Sequence, residues 1–66
     1  MPQVTVKAVA GRTIKQKRGL VKDITEALVK HFKANPQNVV VEIIELSKDN
    51  ISRAGQLFVD RDSVPR

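Results

Sequence analysis

From Gln3 to Val9 the chain alternates between apolar and polar positions. Val4, Val6 and Ala8 share one face and Gln3, Thr5 and Lys7 the other, the period-two signature of a half-buried strand. Gly11 breaks the alternation and supplies a turn. Thr13 and Gln16 then have capping-box spacing, in which each side chain satisfies an orphan backbone N–H at a helix start. From Ile14 to about Lys33 the apolar period becomes helical. Val21, Ile24, Leu28 and Phe32, flanked by Leu20 and Ala27, form one stripe, opposite Lys15, Arg18, Lys22, Glu26, Lys30 and Lys33. Pro36 pushes Asn35 out of the α region, so the helix is expected to end near Ala34–Asn35.

Val39 to Leu46 is β-branched and nearly continuous, as suits a strand covered on both sides. Strand, helix, strand makes a βαβ unit with parallel strands and a right-handed crossover. Lys48-Asp49-Asn50 reads as a turn, Ile51 to Val59 with Gly55 as a short hairpin, and Arg61 to Arg66 as a frayed tail, 62–66 being its flexible part. The expected fold class is therefore α/β (α+β): one domain over residues 1–66, a single βαβ unit plus a short C-terminal hairpin, completed by oligomerisation. Val40, Ile44 and Leu46 lie on one side of the second strand and Val39, Val41 and Ile43 on the other. One helix covers only one side, and an apolar face left bare is a surface for self-association.

Size sharpens that expectation. A chain of 66 residues is below the roughly 70–80 at which a single core suffices without disulfides, metals or oligomerisation. Cysteine is absent and the one histidine, His31, cannot build a metal site alone. No metal or other cofactor is expected, and association is the remaining device. No apolar run approaches a membrane span, and no apolar segment behind a basic start marks a signal peptide, so the default location is the cytoplasm. The net charge of +5 is unevenly placed. Residues 1–33 carry eight Lys/Arg against Asp23 and Glu26, giving +6, and residues 34–66 carry four against five acids, giving −1. The first half is thus the part that draws anions.

The candidate chemistry is sparse. There is no nucleophile–His–acid set and no phosphate-binding glycine loop, and His31 reads as a solvent-facing helix residue. What stands out is Pro2 behind the initiator methionine. Proline is tolerated at the first residue of a strand, but with Met1 removed its ring nitrogen becomes a free secondary amine. An ordinary α-amino group, with a pKa of about 8, is about one-tenth free base at pH 7. Burial and a nearby cation both lower that pKa, toward the range in which a general base works best. With Met1 attached the nitrogen is an amide without useful basicity. Arg12, just before the helix N-terminus, lies where free N–H groups already favour anions.

These residues together resemble the 4-oxalocrotonate tautomerase family. The likeness runs from MPQVTVKAVAGRT, with Pro2 and Gly11-Arg12-Thr13, through Gln16-Lys17 and the helix to the Val39–Glu45 strand, Lys48-Asp49-Asn50 and Ala54-Gly55. It implies pairs of subunits sharing a four-stranded sheet, with three such pairs in a homohexamer. It further implies an isomerase of aromatic-compound degradation that moves a proton within an enol or unsaturated keto acid. Pro2 would be the general base and Arg12 would bind the carboxylate of a small-molecule substrate. Two positions depart from the family pattern. Val40 stands where a strand arginine is expected from a neighbouring subunit, and Ile51 where a phenylalanine is expected. Ile51 can still supply an apolar wall, and Arg53 is a candidate for the missing cation. Branches that activate water use a carboxylate, which Ile51-Ser52-Arg53 does not offer.

Two other classes compete with this reading: an assembly module of the same fold without activity, and a small basic nucleic-acid-binding protein. Single-strand binders rely on aromatic stacking platforms, and this chain has only Phe32 and Phe58, Phe32 being on the apolar stripe. The expected result of a gel-shift titration with DNA and RNA is no salt-sensitive complex even at low salt.

Overall fold

The computed structural model describes residues 1–61. Its first strand, β1 (Gln3–Val9), leads through the Gly11 turn into helix α1 (Ile14–Phe32), and the chain returns as β2 (Val40–Leu46). A short antiparallel hairpin, β3 (Ser52–Arg53) and β4 (Gln56–Leu57), precedes one helical turn, α2 (Phe58–Arg61). β1 and β2 are parallel, in a register running from Gln3 opposite Val40 to Val9 opposite Leu46. The ladder extends one step beyond each end. The Val40 amide donates to the Pro2 carbonyl at 3.1 Å and the Ala10 amide to the Leu46 carbonyl at 2.9 Å.

The capping box forms as the spacing predicts. The Gln16 amide donates to Thr13 Oγ1 at 3.1 Å, and Gln16 Oε1 accepts from the Thr13 amide at 2.9 Å. The helix ends at Phe32, slightly before the expected Ala34–Asn35, because Lys33 turns left-handed (φ 57°) and directs its amide to the Leu28 carbonyl. Pro36 then opens a single 3₁₀ turn, Pro36–Asn38, capped by the Asn35 side chain on the Gln37 amide at 3.0 Å. Ala54 and Gly55, both at positive φ (53° and 79°), make the two-residue β3–β4 connection. Two successive left-handed residues match the type I′ turn that suits hairpin twist.

The helix packs over the sheet face that carries Val4, Val6 and Ala8 of β1 and Val41 and Ile43 of β2, all half-buried. Its own half-buried residues are Lys17, Val21, Ile24, Thr25, Leu28 and Val29, a regular 3.6-residue stripe. This corrects the stripe read from sequence. Phe32 is 70 % and Leu20 42 % exposed, while Thr25 and Val29 take places facing the sheet. Thr25 is tolerated there because its hydroxyl donates to the Val21 carbonyl at 2.8 Å. The other sheet face is uncovered and mixed in character. Val40 (40 % exposed) and Ile44 (36 %) alternate with Glu42, beside Thr5 and Lys7. No described residue is fully buried.

Two expectations for the C-terminus change. The hairpin is shorter than Ile51–Val59, since Phe58 begins a helical turn, and Arg61 belongs to that turn rather than to a tail. The tail expected over 62–66 lies outside the described residues.

A left-handed Lys33 carries a steric cost that glycine does not. Lys33→Gly is expected to raise stability by about 0.5–1 kcal/mol, read as a higher urea midpoint at fixed protein concentration. A lower midpoint would count against the left-handed cap.

Candidate active site

Pro2 sits at the head of the sheet. Its carbonyl is held in the first rung by the Val40 amide, its ring is half-buried, and Met1 ahead of it is 88 % exposed. The strand that follows fixes where the Pro2 nitrogen points. Val40, whose amide makes that first-rung bond, is its uncharged neighbour across the ladder.

Arg12 is at the other end. The six steps of β1 alone rise about 20 Å, so one chain does not bring Pro2 and Arg12 together. Arg12 instead lines an open cavity of about 240 Å³ between the carboxyl end of the sheet and the first turns of α1. The floor is apolar, from Val6, Ala8, Val9, Leu20 and Ile43, and the polar lining is Arg12, Gln16, Lys17 and Glu45. Arg12 donates from one Nη to the Val9 carbonyl at 2.7 Å. Gln16 is occupied by the capping box. The first turn of α1 contains no acid, so its free N–H groups and the helix dipole add to the positive field.

Lys17 and Glu45 form an ion pair across this cavity, from the first turn of the helix to the end of β2, with side chains 24 % and 34 % exposed. Glu45 follows Val41 and Ile43 in the helix-facing row, an acid in an otherwise apolar line. The hydrogen bond from Lys17 holds its carboxyl below the usual carboxylate value, against a smaller opposing effect of desolvation. The charge of Lys17, the Gly11 amide and the more distant charge of Arg12 act in the same direction. The sequence places Lys17 in the Gln16-Lys17 motif of the family likeness and Glu45 at the end of a strand, without pairing them. The available signal was positional: Lys17 stands four residues before Val21 on the buried stripe, and Glu45 has the parity of Ile43.

β2 leaves the sheet at Leu46, beside Ala10, and Ile51 and Arg53 follow after one further 3₁₀ turn, Lys48–Asn50. Ile51 is half-buried and its carbonyl accepts the Phe58 amide at 2.9 Å. Arg53 is exposed on β3, with its guanidinium 5.5 Å from the centre of the Phe58 ring. Arg61, in the same helical turn as Phe58, lies 5.9 Å from the ring, and the Arg53 contact braces the hairpin against α2. His31 is exposed on the helix. Among the described residues no three His, Cys, Asp or Glu side chains are grouped so as to hold a metal, and no helix is long and apolar enough to cross a membrane.

A family model described as Tautomerase enzyme matches residues 2–61. The 2-hydroxymuconate tautomerase of Bacillus subtilis (strain 168) is 44 % identical over 62 residues, covering 94 % of this chain and 100 % of that protein. Among solved structures, the 4-oxalocrotonate tautomerase isozymes from Methylibium petroleiphilum match with a TM-score of 0.89 at 36 % identity, over 97 % of this chain and 100 % of theirs. YwhB, a homologue of 4-oxalocrotonate tautomerase, matches with a TM-score of 0.84 at 44 % identity, over 89 % of this chain and 97 % of its own.

The lowered carboxyl of Glu45 has a signed consequence for stability. Its contribution is complete above the ordinary value of 4.5 and is lost as pH falls through the lower folded-state value. Glu45→Gln is therefore expected to lose less stability than the parent between about pH 7 and pH 3, measured by urea unfolding. Parallel losses in the two proteins would show that this pair contributes nothing to the acid response.

Proposed function

The chain belongs to the tautomerase family, and we propose that it is an isomerase whose general base is the ring nitrogen of Pro2, freed by removal of Met1. The observation that carries this reading is the setting of Pro2. It is half-buried and clamped to β2 through its carbonyl, behind a methionine that projects into solvent within reach of a processing enzyme.

The reaction is a proton shift in an unsaturated 2-keto or 2-hydroxy-dienoic acid. The uncharged nitrogen removes a proton from the enol hydroxyl, and electrons move through the conjugated system as the carbonyl forms. The resulting ammonium returns the proton to carbon. No net charge, water or redox partner is consumed. The half-buried ring disfavours the ammonium form, which keeps the base available near neutral pH. Arg12 anchors the substrate carboxylate with its forked donors.

Because Pro2 and Arg12 stand at opposite ends of β1, the working site takes one of them from another copy of the chain. Self-association is thereby part of the catalytic design, and a homohexamer built as a trimer of dimers is the assembly proposed. The uncovered sheet face with Val40 and Ile44 supports it. Val40 beside Pro2 supplies no cation, so Arg53 of a neighbouring copy is the candidate second anion contact and Ile51 the candidate apolar wall. With fewer cations at the reacting end, monocarboxylate enolpyruvates are as suitable as the dicarboxylate named for the Bacillus subtilis relative. The location proposed is the cytoplasm.

The test is ketonisation of phenylenolpyruvate and of 2-hydroxymuconate by protein whose intact mass shows loss of Met1. Pro2→Ala is expected to cost about 10²–10⁴ in kcat/KM. Arg12→Ala is expected to raise KM roughly 10–100-fold, the weight of a hydrogen bond to a charged group. Turnover that survives Pro2→Ala would remove the base assignment, and no turnover by the processed parent would favour the assembly-module reading. Arg53→Ala with unchanged kinetics on both compounds would remove Arg53 from the site.

A further inference from the structure

We propose that the Lys17–Glu45 ion pair sets the class of acid that the Arg12 cavity accepts. That class is a single carboxylate on an apolar conjugated body, and Glu45 is the residue that discriminates against a second carboxylate. The inference deepens the proposed function by naming its substrate class, and it rests on the reading of Arg12 as the carboxylate anchor.

The cavity is lined by two cations, Arg12 and Lys17, and by one acid, Glu45. Lys17 and Glu45 are in direct contact, as an ion pair and as a hydrogen bond. Arg12 has no ion pair among the described residues. One of its Nη atoms donates to the Val9 carbonyl at 2.7 Å, which leaves most of its five-donor fork for a ligand. The cavity therefore carries one uncompensated positive charge, matched to one carboxylate. A second anionic group meets Glu45, and the cation that would offset it is already engaged.

The rest of the lining points the same way. Val6, Ala8, Val9, Leu20 and Ile43 make an apolar floor, which suits the flat hydrocarbon of a conjugated acid and penalises a buried carboxylate. The volume of about 240 Å³ is below the roughly 300–1,000 Å³ of pockets for drug-sized ligands, so the occupant is a small acid. At the other end of the sheet, the residue bonded to Pro2 is Val40, which brings no charge. A dicarboxylate thus gains one anchor and brings a surplus charge to an acid, whereas a monocarboxylate lays hydrocarbon on hydrocarbon.

Sorbate and muconate make a matched test. Both are six-carbon conjugated dienoic acids, one ending in a methyl group and the other in a second carboxylate. Neither has an enol to ketonise, so calorimetric titration of protein lacking Met1 reads binding apart from turnover. The parent is expected to bind sorbate at least as tightly as muconate. Glu45→Gln frees Lys17 and should shift the muconate-to-sorbate affinity ratio roughly tenfold toward muconate, the scale of one unit charge in a partly shielded site. Lys17→Gln should shift the ratio the other way. The double variant Lys17→Gln/Glu45→Gln has the parent's net charge and should restore it. A purely structural role for the pair would weaken both acids alike. An unchanged ratio in Glu45→Gln, a shift that the double variant does not reverse, or a parent that prefers muconate would overturn the proposal. Oligomer mass is measured on every variant, and if Glu45→Gln does not assemble, Lys17→Gln and the double variant carry the same comparison. Arg12→Ala separates the two readings. If it weakens both acids while the charge variants leave the ratio fixed, this proposal alone fails; if it changes neither affinity, the anchor reading fails with it.

Discussion

A parallel pair of strands with one helix over it cannot close a core. The helix shields one face, the second face and both edges stay open, and none of the described residues escapes solvent in the single chain. Association in a protein this small is therefore a matter of folding as much as of regulation. The same constraint governs the chemistry. A seven-residue strand separates Pro2 from Arg12, so the proposed site needs copies packed against one another to bring both within reach of a small acid.

The energetic character of the two ends of the sheet differs accordingly. At the Pro2 end the residue bonded across the ladder is Val40, an apolar side chain. At the Arg12 end a helix N-terminus, two cations and one carboxylate surround an apolar floor. The Lys17–Glu45 pair is only partly shielded from water, so its Coulombic worth is modest by itself. Its importance lies in geometry, since it joins the first turn of α1 to the end of β2, next to the loop that carries Arg12.

Much of this was legible from residue order. Alternation gave β1, the Thr13–Gln16 spacing gave the start of α1, and Pro36 bounded its end within a few residues. Periodicity failed where apolar character and direction part company. Phe32 is apolar and in phase over a long stretch, yet the left-handed Lys33 ends the helix right behind it and leaves the ring in solvent. Thr25 was passed over because it counts as polar, though its hydroxyl is satisfied within the helix. The helical turn at Phe58–Arg61 was hidden because it is a single turn in which Phe58 also packs with Arg53 from β3, a contact that local periodicity does not encode. Pro2 and Arg12 were visible as candidates through the family resemblance. Their separation was implicit in the length of the strand, but it acquires meaning only beside the open faces of the sheet. Glu45 was overlooked because in sequence it is one of several surface-like acids.

The parallel register carries one more consequence. Each β1–β2 pair joins residues 37 positions apart in a chain of 66, so sheet formation must wait until more than half the polypeptide exists. Helix α1, built from local contacts, can form far sooner than the ladder it supports. During synthesis the first strand is left without its mate until β2 emerges. Cellular concentration and encounter rate between sister chains then decide how long unpaired edges persist.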